Sequence, residues 1–326
     1  MNRIEKAASL VALSLLVPSA AAIAQEAYLA LDAAKLYREQ AAYPPSSRAL
    51  AAGEVDPIRA DRAPSRISLG GPDGAAPALV VWNSAISYEA PKAVDLFASL
   101  ETAGRKVGAL VITGDVLDSS GQASGTVQYR DDGIAPDAAA GDGIWSARWQ
   151  GGKLAPGTGD TYLVKVLATT EKGEPRQAAG GFLYGKPGAR ATGRYRDEVR
   201  DGSLILSAEV EVLAAGRFHA EGTLYGANGE PLGVAQASAD LPKGMAWIEL
   251  PFYGKMLADR KAEGPFRLGS LALSTVGRMP NVLNDLALDV YVTRAYSATA
   301  FTNAPYGDAK LLDTAVRLER SVAEKQ

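Results

Sequence analysis

The segment YRDDGIAPDAAAGDGIW, Tyr129 to Trp145, carries four aspartates and three glycines, with no lysine or arginine between Asp131 and Asp142. Asp131, Asp132, Asp137 and Asp142 could do one of two things. Ca²⁺ takes six to eight oxygen ligands, often several carboxylates from one glycine-bent loop, and a divalent cation would relieve the repulsion of four close charges. Alternatively, Asp132-Gly133 and Asp142-Gly143 are turn-forming pairs, in which the carboxylate accepts from nearby amides and glycine takes positive φ without a steric penalty. The spacing is not that of an EF-hand. With Asp131 first, the third and fifth positions are Gly133 and Ala135, and Asp142 stands twelfth, where a longer glutamate belongs. Both readings remain open.

Other chemistry is thinly represented. There is no cysteine, which removes thiolate nucleophiles, disulfide exchange and cysteine-ligated zinc. His219 is the single histidine, so a multi-histidine metal site is impossible. In GRFHAEGTLYG, alternation puts Phe218, Ala220 and Leu224 on one strand face and Arg217, His219, Glu221 and Tyr225 on the other. A base at His219 with Glu221 as its partner is disfavoured, because i and i+2 positions lie about 7 Å apart along a strand. No G-x-S-x-G nucleophile elbow or Walker-type phosphate loop occurs. The 37 acidic residues leave many carboxylate pairs open for glycoside hydrolysis, but nothing in their order selects one. No catalytic or cofactor-binding residue is assigned. Trp82, Trp145, Trp149 and Trp247 lie in strand-like runs and are expected in cores; Tyr225, Tyr253 and Tyr291 are the next candidates for a sugar platform if exposed.

The elements that must position these residues follow from the texture of the chain. Arg3 and Lys6 precede an apolar run, Ala7 to Ala22, and AIAQ offers an A-x-A site that would leave Gln25 as the new N-terminus. Residues 1–24 are therefore expected to be a signal peptide, giving a periplasmic or secreted protein that is not inserted in the membrane after cleavage. Residues 25–66 read as an extended arm, partly helical at YLALDAAKLYREQAA and otherwise on the surface or disordered. From Ile67, short runs such as PALVVW, IWSARW and TYLVKVLATT recur between glycines and aspartates, as strands do. In IWSARW, Trp145, Ala147 and Trp149 alternate with Ser146 and Arg148.

YGKPGARATG marks a boundary, and a second series of strands follows. Leu204, Leu206, Ala208, Val210 and Val212 line one face against Ile205, Ser207, Glu209 and Glu211. Asn228-Gly229 signals a hairpin. The expected architecture is all-β: two tandem immunoglobulin-like β-sandwich domains, residues 67–187 and 188–302, each of about 100 to 120 residues. A tail or short helix over 303–326 completes it.

With 34 basic and 37 acidic residues the net charge is -3, and no basic stripe suggests nucleic acid. YRDDGIAPDAAAGDGIWSARW resembles the aspartate-rich segment of immunoglobulin-like domains in exported bacterial proteins. Together with GRFHAEGTLYGANGEPLGVAQA, LPFYGK, GPFRLGSLALST and MPNVLND, it resembles a secreted bacterial family catalogued as domain of unknown function 4785, from about Asp56 to Phe301. That resemblance implies tandem immunoglobulin-like domains and transfers no catalytic residue. The functional expectation is an exported, non-enzymatic binding or structural protein, with a glycan or another exported protein as partner. The alternative is a hydrolase of envelope polysaccharide or peptide using unidentified carboxylates.

Overall fold

The computed structural model describes residues 20–60, 66–69, 76–276 and 282–324. Most of the expected signal peptide, residues 1–19, lies outside them, as do residues 61–65 of the arm. The chain divides into two compact units, residues 1–44 with 305–326, and residues 45–304.

In the first unit a helix spans Ala20–Ala41, starting inside the stretch read as a leader, and a second spans Ala309–Ala323. Asp308 caps the second by accepting from the amides of Lys310 and Leu311. The helices pack through small buried side chains, among them Ala34, Ala41 and Ala315. Arg38 donates from Nε and Nη2 to both oxygens of Glu319, at 2.9 and 2.8 Å. The carbonyl of Ala41 accepts from the amides of Gly307 and Asp308. Among the described residues no helix is long and apolar enough to cross a membrane.

The second unit is built of strands. One sheet runs Ser87–Glu89, Pro175–Lys186, Thr158–Thr170, Ala109–Leu117, Ala123–Gln128 in spatial order. A second holds Ile67–Leu69, Ala78–Asn83, Val94–Thr102 and Arg105–Val107, with Trp145–Trp149 also paired to Val94–Thr102. Leu79, Val81, Leu96 and Ala98 of the second sheet meet Ile112, Val116, Val164 and Val166 of the first in one core. Trp149 sits among Tyr162, Phe182 and Tyr184, with ring centroids 5.0 to 5.5 Å away, and its indole donates to the Ser124 carbonyl. The predicted alternation holds in part: Ala147 and Trp149 are buried and Arg148 is exposed and paired with Asp95 at 2.7 Å, but Ser146 is buried as well.

The chain leaves this sandwich at Pro187-Gly188. The Gly188 carbonyl accepts from the amides of Leu213 and Ala214, and Glu89 accepts from both Lys186 and Arg190, so the boundary segment is pinned on both sides. The following sandwich packs the sheet Ala189–Arg200, Ser203–Val212, Gly244–Phe252 against a five-stranded one. That larger sheet runs Ser47–Ala49, Pro231–Leu241, Gly216–Tyr225, Arg267–Val276, Val282–Val292. Leu204, Leu206, Ala208, Val210 and Val212 face the core as expected. Ile205, Ser207 and Glu209 are buried as well, because long side chains roof the outer face. Arg194 grips Glu209 from Nε and Nη2, and Arg196 lies 4.4 Å over the Trp247 ring. The hairpin forms at Asn228-Gly229, where Gly229 takes φ 80°.

The expectation of a surface or disordered arm is corrected over residues 45–60. Ser47–Ala49 is an edge strand paired with Gly233–Ala235, and Leu50 and Ile58 are buried. Asp56 anchors the segment. Its carboxylate accepts from Thr223 Oγ1 at 2.8 Å, Tyr225 Oη at 2.8 Å, Ser270 Oγ and the amide of Ile58, with Arg59 Nε 3.4 Å away. Burial alone would raise its pKa, but the hydrogen bonds of Ser270, Thr223 and Tyr225 outweigh it and hold the group below the usual carboxylate range. Tyr225 is pushed up to about 12 by burial and by that bond. A folded-state pKa below the unfolded one gives stability that is present above the ordinary value and lost as pH falls through the depressed one. Asp56→Ala strands three buried hydroxyls and is expected to cost about 2–5 kcal/mol in denaturant unfolding. The gap to wild type should narrow on acidification below about pH 4.

Candidate functional site

The aspartate loop connects the strand Ala123–Gln128 to Trp145–Trp149, and Arg130 and Ser146 close its base through paired backbone bonds of 2.8 Å. Within it, carboxylate oxygens of Asp131, Asp137 and Asp142 all lie within 4.8 Å of one another. Asp132 is outside that group; it accepts from the Ile134 amide at 3.0 Å and lies 4.0 Å from Arg130. Three of the four predicted ligands are therefore brought together.

Local hydrogen bonding explains the convergence. Asp131 Oδ1 accepts from the amides of Gly141 and Asp142, and Oδ2 from that of Gly143. Asp137 is buried and takes the Gly133 amide at 2.6 Å. Asp142 Oδ1 takes the Ile144 amide, while its other oxygen lies 3.9 Å from Lys106 Nζ. Gly133, Gly141 and Gly143 all have φ between 71° and 78°, the conformation that lets consecutive amides turn inward. Each carboxylate oxygen has a second lone pair, so the set is chemically able to hold an oxygen-seeking divalent cation as well as close the turn.

The other predicted positions are dispersed. Trp149 is a core residue, and Trp145 packs against the same core. Trp82 lies outside it, stacked on Phe97 and covered by Arg66 at 4.2 Å. Trp247 is 38% exposed, which corrects its expected core place, but Arg196 occupies one face of the ring. Tyr225 and Tyr291 are not free platforms: each donates to a buried carboxylate, Asp56 and Asp197 respectively, and Tyr253 donates to the Ala304 carbonyl. His219 Nδ1 lies 2.9 Å from Ser238 Oγ on the neighbouring strand. Its Nε2 is 3.5 Å from Glu221, so the side chains close a gap that their backbone spacing suggested they could not. This trio stands on a sheet face, with Ser238 exposed.

What sequence reasoning missed is at one end of the second sandwich. The arm residues Ala52 to Asp56 and the hairpin after Tyr225 wall two clefts, of about 480 and 600 Å³. The Asn-Gly turn signalled the hairpin, but nothing local signalled that the arm would fold beside it.

These features define an all-β protein of two tandem immunoglobulin-like sandwiches with a C-terminal helix. Its second sandwich, residues 189–290, matches the family model described as Domain of unknown function (DUF4785) C-terminal domain, in agreement with the resemblance of the sequence motifs. No curated protein matches the chain. Among solved structures, a DUF4785 family protein from Legionella pneumophila is similar at 15% identity and TM-score 0.48, covering 69% of this chain and 58% of that one. The chain thus spans less than two thirds of that protein's length. CopC from Methylosinus trichosporium OB3b is similar at 20% identity and TM-score 0.20, over 31% of this chain and 82% of that one. A Salmonella alpha-2-macroglobulin mutant is similar at 14% and TM-score 0.33, over 69% and 15%. None of the three carries a functional argument.

Asp131→Ala removes the acceptor shared by three loop amides and is expected to cost about 1–3 kcal/mol. Asp132→Ala, which loses one amide bond on the exposed side, should cost under about 1 kcal/mol. Equal effects in urea unfolding would contradict this division of labour.

Proposed function

We propose that the chain is an exported, non-enzymatic binding or structural protein whose immunoglobulin-like domains present loops and clefts to a partner. One observation supports the reading: the buried carboxylates Asp56, Asp137, Asp197 and Glu209 are each hydrogen-bonded to donors of the fold. Every carboxylate with a displaced pKa among the described residues is displaced downward: Glu54, Asp56, Glu89, Asp118, Asp197, Glu209, Glu249 and Glu319. A glycosidase needs one carboxyl group held protonated near neutrality, through burial or a like charge, beside a second that stays ionised. Here burial is answered by donors. Asp197 shows the pattern: burial raises it, but Tyr291, Tyr296 and Arg294 bring it below the usual range. Carboxylates held this way act as anchors and are poor proton donors.

Export is part of the proposal and rests on the sequence: the basic residues Arg3 and Lys6, the apolar run, and the small residues Ala22 and Ala24 before Gln25. A chain without cysteine folds in an oxidising compartment through its cores alone, and both sandwiches have one. Mass spectrometry of the protein from a periplasmic fraction should find Gln25 as the first residue. An uncleaved chain in the cytoplasm would sink the export reading. Incubated with envelope polysaccharide or peptide, the purified protein should release no new reducing ends or amines, and steady turnover would establish the hydrolase instead.

In this reading the aspartate loop closes on its own amides. The melting temperature should then be the same in EGTA and in millimolar Ca²⁺, because a ligand of the folded state alone must raise it by mass action. A rise with calcium that Asp142→Asn abolishes would make Asp131, Asp137 and Asp142 a cation site.

A further inference from the structure

The two sheets of the second sandwich end in four edge strands, and three of them are blunted. Ser47–Ala49 has only three residues. Ala189–Arg200 breaks register between Ala191 and Tyr195 and is studded with arginine. Val282–Val292 shifts register twice against its neighbour and turns Asp289 to φ 52°. Short length, bulges and charge are the means by which sheets keep an open edge from pairing. Gly244–Phe252 lacks them over most of its length. Every residue from Gly244 to Phe252 has its partner on Ser203–Val212, with no shift of register. Glu249 is its one charge, and Pro251 stands near its far end. Among the described residues no backbone hydrogen bond reaches its outer side. Beside that open ladder Met245 is 55% exposed and Trp247 38%.

We propose that this edge pairs with the same edge of a second copy of the chain, antiparallel about a two-fold axis at Ala246. Unpaired amides and carbonyls call for a strand, and a strand laid antiparallel on its own copy about an axis is self-complementary. The residues of the strand select the axis. At Ala246 it sets Met245 opposite the partner's Trp247, and Lys243 opposite the partner's Glu249, each twice over. Opposite side chains on paired strands stand about 5 Å apart at Cβ, so the thioether meets the indole and the ammonium meets the carboxylate. Moved by one residue to Trp247, the axis would set Met245 against Glu249 and Lys243 against Pro251, and both matches would be lost. Arg196 holds one face of the indole and leaves the rest of its exposed surface to the partner. The charges of the face agree. Glu198, Glu209, Glu211 and Glu249 lie on it, against Arg194, Arg196 and Arg200, while Arg190 is drawn off by Glu89. One acid is therefore in excess. Lys243 is exposed, and among the described residues it has no hydrogen bond or ion pair. This pairing is independent of what the loops and clefts bind.

The test is sedimentation equilibrium of the mature protein across about 1 to 100 μM, the range suited to an interface below standard size. A reversible monomer–dimer equilibrium is expected. Lys243→Glu sets like charges opposite each other twice and should weaken the dimer roughly tenfold or more. Its monomer should melt at the wild-type temperature, since Lys243 bonds nothing among the described residues. Ala246→Cys adds the only thiol of the chain at the axis, where two sulfurs come within disulfide reach, and should give a covalent dimer on mild oxidation. A monomer at every concentration would overturn the proposal. So would a dimer that Lys243→Glu leaves unchanged, or one in which the Ala246→Cys thiol stays free.

Discussion

A carboxylate leaves water only when protein donors replace the water it had, and the second sandwich is assembled around that constraint. Asp56 and Asp197 have side chains only 3% and 2% exposed, and each is met by hydroxyls and an arginine. For Asp56 the donors come from strands some 170 to 210 positions further along the chain, so satisfying it fixes where the arm must lie. Asp197 draws Tyr291, Arg294 and Tyr296 to the strand Ala189–Arg200 in the same way. Neither tie is hydrophobic in origin, yet each joins segments far apart in the chain. A chain without disulfides gains specificity from such ties, because a misplaced partner leaves a buried charge unanswered.

The same constraint shapes what the surface can do. Donors that make burial tolerable also keep the carboxylates ionised, and the tyrosines Tyr225 and Tyr291 are engaged in that task. Tyr225 is the plainest case: its ring is flanked by Arg59 and Arg267 at 5.7 and 4.9 Å and its hydroxyl is spent on Asp56. Along one short stretch the polar Asp56 is buried and the apolar Val55 is 70% exposed, so burial here follows hydrogen bonding rather than hydrophobicity.

Much of this fold was legible because its signals are local. Alternation placed Leu204, Leu206, Ala208, Val210 and Val212, and also Ala147 and Trp149, on core faces, since the period of a strand is written in consecutive residues. Asn228-Gly229 specified its hairpin. The failures have a common cause. The arm was misread because its strand is three residues long and its anchor is a single aspartate, whose meaning depends on hydroxyls far away in sequence. The burial of Glu209 and Ser207 was invisible for the same reason: alternation assigned the face, but the arginines that cover it come from another strand. His219 and Glu221 show the limit of backbone spacing, because rotamers moved two polar ends to 3.5 Å.

The aspartate loop lies between these cases. Its composition pointed to convergence, and convergence is what the fold produces for Asp131, Asp137 and Asp142. Composition could not say what drives it. Left-handed glycines turn the amides of Gly133, Gly141, Asp142, Gly143 and Ile144 toward the carboxylates, and such a set of amides is a local positive potential. Each aspartate of the cluster is bonded to an amide inside the loop, and Asp142 has Lys106 beside it as well. A cation would have to use lone pairs the amides leave over. The glycines hold the amides in place, and the amides order the carboxylates of Asp131, Asp137 and Asp142.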